Sequence, residues 1–243
     1  MQESTYQDLG QHEDTLWRSV ANREMVTAFW KKFRRSPDRY RTLDVGCGAG
    51  AMVKFLEKET SSFGMDESLL ALELAKARQL HKLFLGDLEH LPVKSHSFDL
   101  ISAIDVIEHT QNDEQVISEL FRILKKDGLL ISIIPAFNFL WSQRDERLGH
   151  KKRYTVSEIK KLMRQAGFTL LKCSYINLFY FVPFAALIFW RRLFNRVARI
   201  KTDVPAFPEL VNCVLLGLLR METSLLLNID FPIGVSTVCV VRK

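Results

Sequence analysis

The sequence predicts an α/β protein whose core is a parallel sheet with helices on both faces. Three observations lead there. Short apolar segments alternate with helical ones over residues 42–134, a glycine-rich turn follows the first of those strands, and 243 residues are enough to bury a full core. A hydrophobic content of 47% with 26% charged residues is ordinary for a soluble globular chain.

The elements follow in order. Leu16, Trp17, Val20, Met25, Val26, Phe29, Trp30 and Phe33 recur at helical spacing over residues 14–35, predicting a leading amphipathic helix or helix pair that Ser36 and Pro37 end. A strand over 42–45 runs into LDVGCGAG at 43–50, where Gly46, Gly48 and Gly50 let the backbone turn tightly and approach a small polar ligand. Ordinary turns also gather glycines, so this turn alone does not decide the function. Then come a helix at 51–58, strand 61–65, helix 68–78, a short strand 83–86, strand 98–104 and helix 113–124, with a Lys-Asp-Gly turn at 126–128 leading into strand 129–134. A helix over 156–166 ends at Gly167, the usual residue just past a helix C-terminus.

Strands at 168–175 and 235–242 complete the sheet, yet about sixty residues separate them where a hairpin would suffice. That insert opens with an uncharged run at 178–190, interrupted by Pro183 and too short for the roughly 20 residues of a membrane span. Beyond it Arg192, Arg196 and Arg199 share one helical face and Leu193, Val197 and Ile200 another, which suits a membrane surface. A buried helix, a dimer contact and a helical lid on its own domain fit the insert as well.

The formal charge of +6 is concentrated: residues 144–201 hold 14 Lys and Arg against 3 acids. Such a stripe is a solvated surface, a site for anionic substrates or a contact for an anionic membrane. No nucleic-acid-binding module accompanies it, and nucleic acid is not expected as a partner. The first thirty residues lack a continuous apolar core, and Cys47, Cys173, Cys213 and Cys239 are widely spaced without a C-x-x-C pair. The expected setting is cytoplasmic, with membrane association through the insert left open.

Four motifs together resemble the class I S-adenosylmethionine-dependent methyltransferases: LDVGCGAG at 43–50, GMDES at 64–68, GDLEHLP at 86–92 and SFDLI at 97–101. A nicotinamide-binding turn would read G-x-G-x-x-G, whereas Ala51 and Met52 follow Gly50 here. The resemblance implies a seven-stranded Rossmann-like sheet of order 3-2-1-4-5-7-6 with the last strand antiparallel, and a helical insert between strands 6 and 7. It divides one domain into an N-terminal helical cover at 1–37, a cofactor core at 38–175, the insert at 176–232 and a final strand at 233–243. It also implies S-adenosylmethionine as cofactor. Asp66 would accept the ribose hydroxyls, with Glu67 beside it; Asp87 and the Leu88 amide would meet the adenine edge. Asp44, Gly46, Cys47, Gly48, Gly50, Ile104 and Asp105 would line the remaining cofactor surface. Asp66 also fits a helix cap, and Asp87 a plain turn.

The run AFNFLWSQRDERLGHKKRYT at 136–155 resembles a subgroup of type-11 methyltransferases, together with Trp17 and Arg23 near the start and FPIGVS at 231–236. By that resemblance Arg23 would pair with the cofactor carboxylate. His150 is the candidate general base, Asp145 its orienting group and Tyr154 a further catalytic group, while Trp141 and Arg153 would hold the acceptor; a purely structural role for the loop is the alternative. The expected reaction is methyl transfer to oxygen of a small amphipathic acceptor: a lipid, isoprenoid, polyketide or lipid-linked sugar. DVIEH at 105–109 resembles the acid-x-x-Glu-His group of catechol-directed methyltransferases, in which Asp105, Glu108 and His109 would hold a divalent cation; no metal is the adopted expectation, since metal-free relatives carry Glu-His here too. A non-catalytic binding protein on the same fold is the competitor from another class.

Overall fold

A computed structural model describes residues 10, 12–35, 40–194 and 208–243. Helix α1 (Trp17–Phe33) precedes strand β1 (Arg41–Val45), and α2 (Ala51–Leu56), β2 (Ser61–Asp66), α3 (Leu69–Ala77) and β3 (Leu83–Leu85) complete the first half. The second half runs β4 (Phe98–Ile104), α4 (Asp113–Ile123), β5 (Leu124–Pro135), α5 (Gln143–Leu148), α6 (Val156–Gln165) and β6 (Thr169–Ile176). Helices α7 (Phe181–Leu193) and α8 (Glu209–Leu226) then lead to β7 (Ser236–Arg242).

All seven strands join one sheet of order β3-β2-β1-β4-β5-β7-β6, as expected. The first five pair in parallel, and β7 runs antiparallel between β5 and β6. Covered on both faces, the central strands are almost continuously apolar: Leu43, Val45, Leu100, Ile101, Leu130 and Ile131 are all buried. Helix α4 covers one face with Val116, Ile117, Leu120 and Ile123, and α1 covers the other with Met25, Val26, Phe29 and Trp30. Each set recurs every three or four residues, so it forms one stripe on its helix.

Three details depart from the sequence-based expectation. Pro183 does not interrupt its helix: it sits in the first turn of α7, where the amide it lacks would have had no helical partner. Strand β5 begins at Leu124 directly after α4, so the basic turn at 126–128 lies within the strand, with Asp127 at φ 64°. The segment after β5 contains the unforeseen helix α5, whose start is held by Asp145 accepting hydrogen bonds from the Ser142 amide (2.8 Å) and hydroxyl (3.0 Å). The helix stop at Ser36 and Pro37 lies outside the described residues, as do Arg196 and Arg199 with their apolar companions Val197 and Ile200.

Helix α8 packs along α1. Arg220 pairs bidentately with Glu24 (2.7 and 2.8 Å), and the Asn212 carboxamide oxygen accepts from the Trp17 amide at 2.9 Å. Glu222, fully buried in α8, accepts from the amides of Asn177 and Leu178, pinning the chain as it leaves β6. Helix α7 lies over the exit of β5: Phe181 and Phe189 meet Phe137 and Phe139 in an aromatic strip, and Arg192 donates to the Trp141 carbonyl at 2.8 Å. Among the described residues, no helix is long and apolar enough to cross a membrane.

Candidate active site

Ligand sites in open α/β sheets form beyond the carboxyl ends of the strands where the strand order reverses, here between β1 and β4. The glycine turn stands there. Gly46 (φ +67°) has a conformation that L side chains rarely adopt, and a Cβ on it would lie 2.3 Å from Val106 just past β4. Gly50 (φ +85°) is equally constrained, with Leu80 2.4 Å from any added Cβ.

Carboxylates surround this turn. Asp66, buried at the end of β2, accepts from the Gly48 amide and the Ser68 amide, each at 2.9 Å, and so braces the turn; Ser68, not Asp66, caps α3. Asp44 is buried and accepts the Ser102 hydroxyl at 2.6 Å; burial pushes its carboxyl up to about 7. The Cys47 thiol is buried and pushed far above its usual range by burial and nearby acids. Glu67 is exposed, and Leu88 packs half-buried on the core. Asp87 stands exposed beyond β3 and accepts the Glu89 amide at 2.9 Å. Ile104 closes β4, half-buried.

Sequence reasoning missed Glu13. Its carboxylate lies 3.2 Å from where a Cβ on Gly48 would sit and accepts a hydrogen bond from the Ala51 amide. Burial pushes it up to about 7 despite Arg78 nearby. Arg23 is buried in α1. Its guanidinium donates to the carbonyls of Glu13 (2.7 Å) and Asp14 (3.3 Å), fastening the segment before α1.

The second cluster lies beyond β4 and β5. Asp105, at φ 50°, is held by Arg18 of α1 at 2.9 and 3.2 Å, a partner that sequence spacing did not reveal. His150 and Asp145, chosen from sequence as a pair, do meet: Nδ1 to Oδ1 is 2.9 Å. Asp145 is buried, which opposes its charge, yet hydrogen bonds from His150 and Arg153 and the Arg153 charge hold its carboxyl well below the ordinary range.

Arg153 and Tyr154 require correction. Arg153 is buried, with Nε and Nη2 on Asp145 (2.8 and 3.0 Å) and Nη1 on the Ala136 carbonyl (3.0 Å), so the guanidinium is a brace and not a free hand for an acceptor. Tyr154 is buried with its hydroxyl on Asp113 at 2.9 Å; burial and that carboxylate push it far above its usual range, away from proton transfer. Trp141 stays partly exposed under α7.

The metal set read from DVIEH also changes. Asp105 turns to Arg18, and His150 takes its place beside Glu108 and His109, whose donor atoms all lie within 4.8 Å of one another. Glu108 is fully buried, and no hydrogen-bond donor among the described residues reaches either carboxylate oxygen. Burial and Asp105 push it well above the carboxylate range, while burial and His150 push His109 down to about 4.

The fold and its glycine turn thus define a class I, Rossmann-like methyltransferase architecture. A methyltransferase-domain family profile matches residues 43–132. An uncharacterized protein of Methanocaldococcus jannaschii is 32% identical over 163 residues, 66% of this chain and 67% of that one. A probable S-adenosylmethionine-dependent methyltransferase of Mycolicibacterium smegmatis is 28% identical over 131 residues (52% of this chain, 51% of that one). The ubiquinone/menaquinone biosynthesis C-methyltransferase UbiE of Campylobacter jejuni is 28% identical over 127 (49% and 52%). The chain thus spans about half the length of these two named methyltransferases. A crystal structure of an S-adenosylmethionine-dependent methyltransferase from Thermotoga maritima shares the fold, with a TM-score of 0.60 at 20% identity over 99% of this chain and 95% of that one. The chain belongs to the S-adenosylmethionine-dependent methyltransferases, and S-adenosylmethionine is its methyl donor.

Proposed function

We propose that the protein transfers the methyl group of S-adenosylmethionine to an oxygen of a small amphipathic acceptor: a lipid, isoprenoid, polyketide or lipid-linked sugar. In this reading Asp66 receives the ribose hydroxyls, Asp87 and the Leu88 amide meet the adenine edge, and the glycine turn with Asp44 lies along the methionine moiety. Methyl transfer needs the nucleophile, methyl carbon and sulfur in line, so positioning supplies much of the acceleration. His150 is the group that takes a hydroxyl proton, its ring fixed by Asp145.

One observation carries the acceptor class. The segment after β5 carries both the Asp145–His150 pair and, at Phe137 and Phe139, an aromatic strip that Phe181 and Phe189 of α7 extend; Phe139 and Phe189 are about half exposed. In this reading the polar pair meets the reacting end of the acceptor and the strip its apolar body. Trp190 and Leu193 extend the apolar surface outward beside Arg192, which supports approach from an anionic membrane face. The insert acts as the lid over this acceptor path, and the setting is cytoplasmic. The C. jejuni relative is named for C-methylation, and transfer to a ring carbon of a quinol-like acceptor is the second reading it favours.

Turnover of labelled S-adenosylmethionine against isoprenoid quinols, polyketides, lipid-linked sugars, RNA and a control protein tests the proposal. An O-methylated amphipathic product is expected. Label incorporated only into RNA or protein would overturn it, and label on carbon would replace it with the second reading.

A further inference from the structure

We propose that Glu108, His109 and His150 form a binding site for one divalent transition-metal ion of the zinc or cobalt type, beyond β4 and β5. The site differs from the group read from sequence, because Asp105 is withdrawn to Arg18 and a histidine from 45 residues further along replaces it.

Four observations lead there. First, the chemistry of the set, two imidazoles and one carboxylate, suits zinc or cobalt better than magnesium, which favours oxygen ligands and water. Second, the side chain of Glu108 is fully buried with neither oxygen hydrogen-bonded, and it is aimed into this cluster. Its Oε1 stands 3.9 Å from His150 Nε2. That gap is too long for a hydrogen bond, yet it is below twice a metal–ligand bond of roughly 2.1 Å.

Third, His150 has its other nitrogen occupied: Nδ1 is hydrogen-bonded to Asp145 at 2.9 Å, which leaves Nε2 toward Glu108. A metal-binding histidine characteristically makes such a bond, which fixes the ring and directs the remaining lone pair at the ion. The two loops are also joined through their backbones: the Lys151 amide donates to the Glu108 carbonyl at 2.7 Å, and the His150 amide to the Asp145 carbonyl at 2.9 Å.

Fourth, Arg18 is paired with Asp105 and Arg153 with Asp145, and the group that meets the Glu108 carboxyl is His150 at 3.9 Å. A bound cation would favour the ionised carboxylate there. Three protein ligands leave further positions on the ion for an oxygen or nitrogen of the acceptor, as in metal sites that bind substrate directly. In transfer to oxygen, His150 would then serve as a ligand and not as the base: the ion would hold the acceptor hydroxyl as its oxyanion, the proton having passed to water, and the methyl group would move from sulfur to that oxygen.

The test uses the full-length protein, stripped with EDTA and titrated with Zn²⁺ and with Co²⁺ by calorimetry. One ion per chain is expected, with Co²⁺ giving visible d–d absorption. Glu108→Gln and His109→Asn should each weaken Zn²⁺ binding by at least about tenfold while S-adenosylmethionine still binds, which certifies the fold. No stoichiometric ion in the wild type, or equal Zn²⁺ affinity in both variants, overturns the proposal. Should either variant fail to fold, X-ray absorption of the Zn²⁺-loaded wild type decides: two imidazoles with oxygen support the site, and sulfur ligation or a single imidazole overturns it. Methyl transfer by a protein that binds no ion would defeat this inference and leave the proposed function standing.

Discussion

Around the glycine turn, the loop is braced by Asp66, which accepts the Gly48 and Ser68 amides, while Asp44 is tied to Ser102 of β4. Beyond β4 and β5 the site consists of side chains: Arg18 from α1, Asp105 to His109 after β4, and Asp145 to Arg153 after β5. The first half gains its precision from glycines and short hydrogen bonds along one chain segment. The second gains it from ion pairs, one set within the loop after β5 (Asp145 with His150 and Arg153) and one that spans the chain (Arg18 with Asp105). A nucleoside can therefore be held by a local motif, while the end that meets the acceptor is free to vary with the acceptor.

The largest effect should come from the side-chain half. Asp145→Ala leaves the Arg153 guanidinium buried without its carboxylate and His150 without its orienting partner, an expected loss of about 3–5 kcal/mol in urea unfolding. A loss below about 1 kcal/mol would mean that this half is not held by its ion pairs. The backbone half should respond in binding: Asp66→Ala should weaken S-adenosylmethionine by more than tenfold, roughly 2–4 kcal/mol, in calorimetric titration. Unchanged affinity in a folded variant would remove Asp66 from the ribose.

Asp44 separates the halves by pH. Its folded carboxyl is raised from 3.8 to about 7, so between those values the folded protein holds a proton that the unfolded chain releases. The stability this contributes is full in acid and is lost as pH rises through about 7, with a slope of at most about 1.4 kcal/mol per pH unit. Asp44→Asn should reduce the slope of that part of the urea-stability profile of the cofactor-free protein, leaving the share that Glu13 contributes over the same range; a profile unchanged from wild type would show that Asp44 ionises normally. The smallest effect belongs to Glu13, whose carboxylate holds the Ala51 amide over the glycine turn. Glu13→Gln should tighten S-adenosylmethionine by about threefold through easier opening of this segment, and weaker binding would show that Glu13 helps to hold the cofactor.

The same contrast governs what the sequence disclosed. The alternation of strands and helices and the glycine turn were legible because periodicity and glycine positions are local signals, and so was the Asp145–His150 pair, whose members lie on one short loop; the strand order followed from the resemblance that the four motifs carry. The partners of Asp105 and Glu108 were not legible, since Arg18 and His150 reach them only through tertiary packing. Tyr154 reaches Asp113 only through the fold, and nothing local distinguishes a guanidinium that braces its own loop, as Arg153 does on Asp145, from one that faces an acceptor. Glu222 had a visible signal, an acid within an apolar helix, which marks a buried partner in the fold.

The central claim is that cofactor binding and chemistry reside in separate halves, joined across the β1–β4 switch point. His150→Gln measured for both S-adenosylmethionine affinity and turnover on a confirmed acceptor tests it most directly. The account predicts turnover lowered at least about a hundredfold with cofactor affinity within about threefold of wild type. Turnover close to wild type, or affinity and turnover falling together, would contradict it.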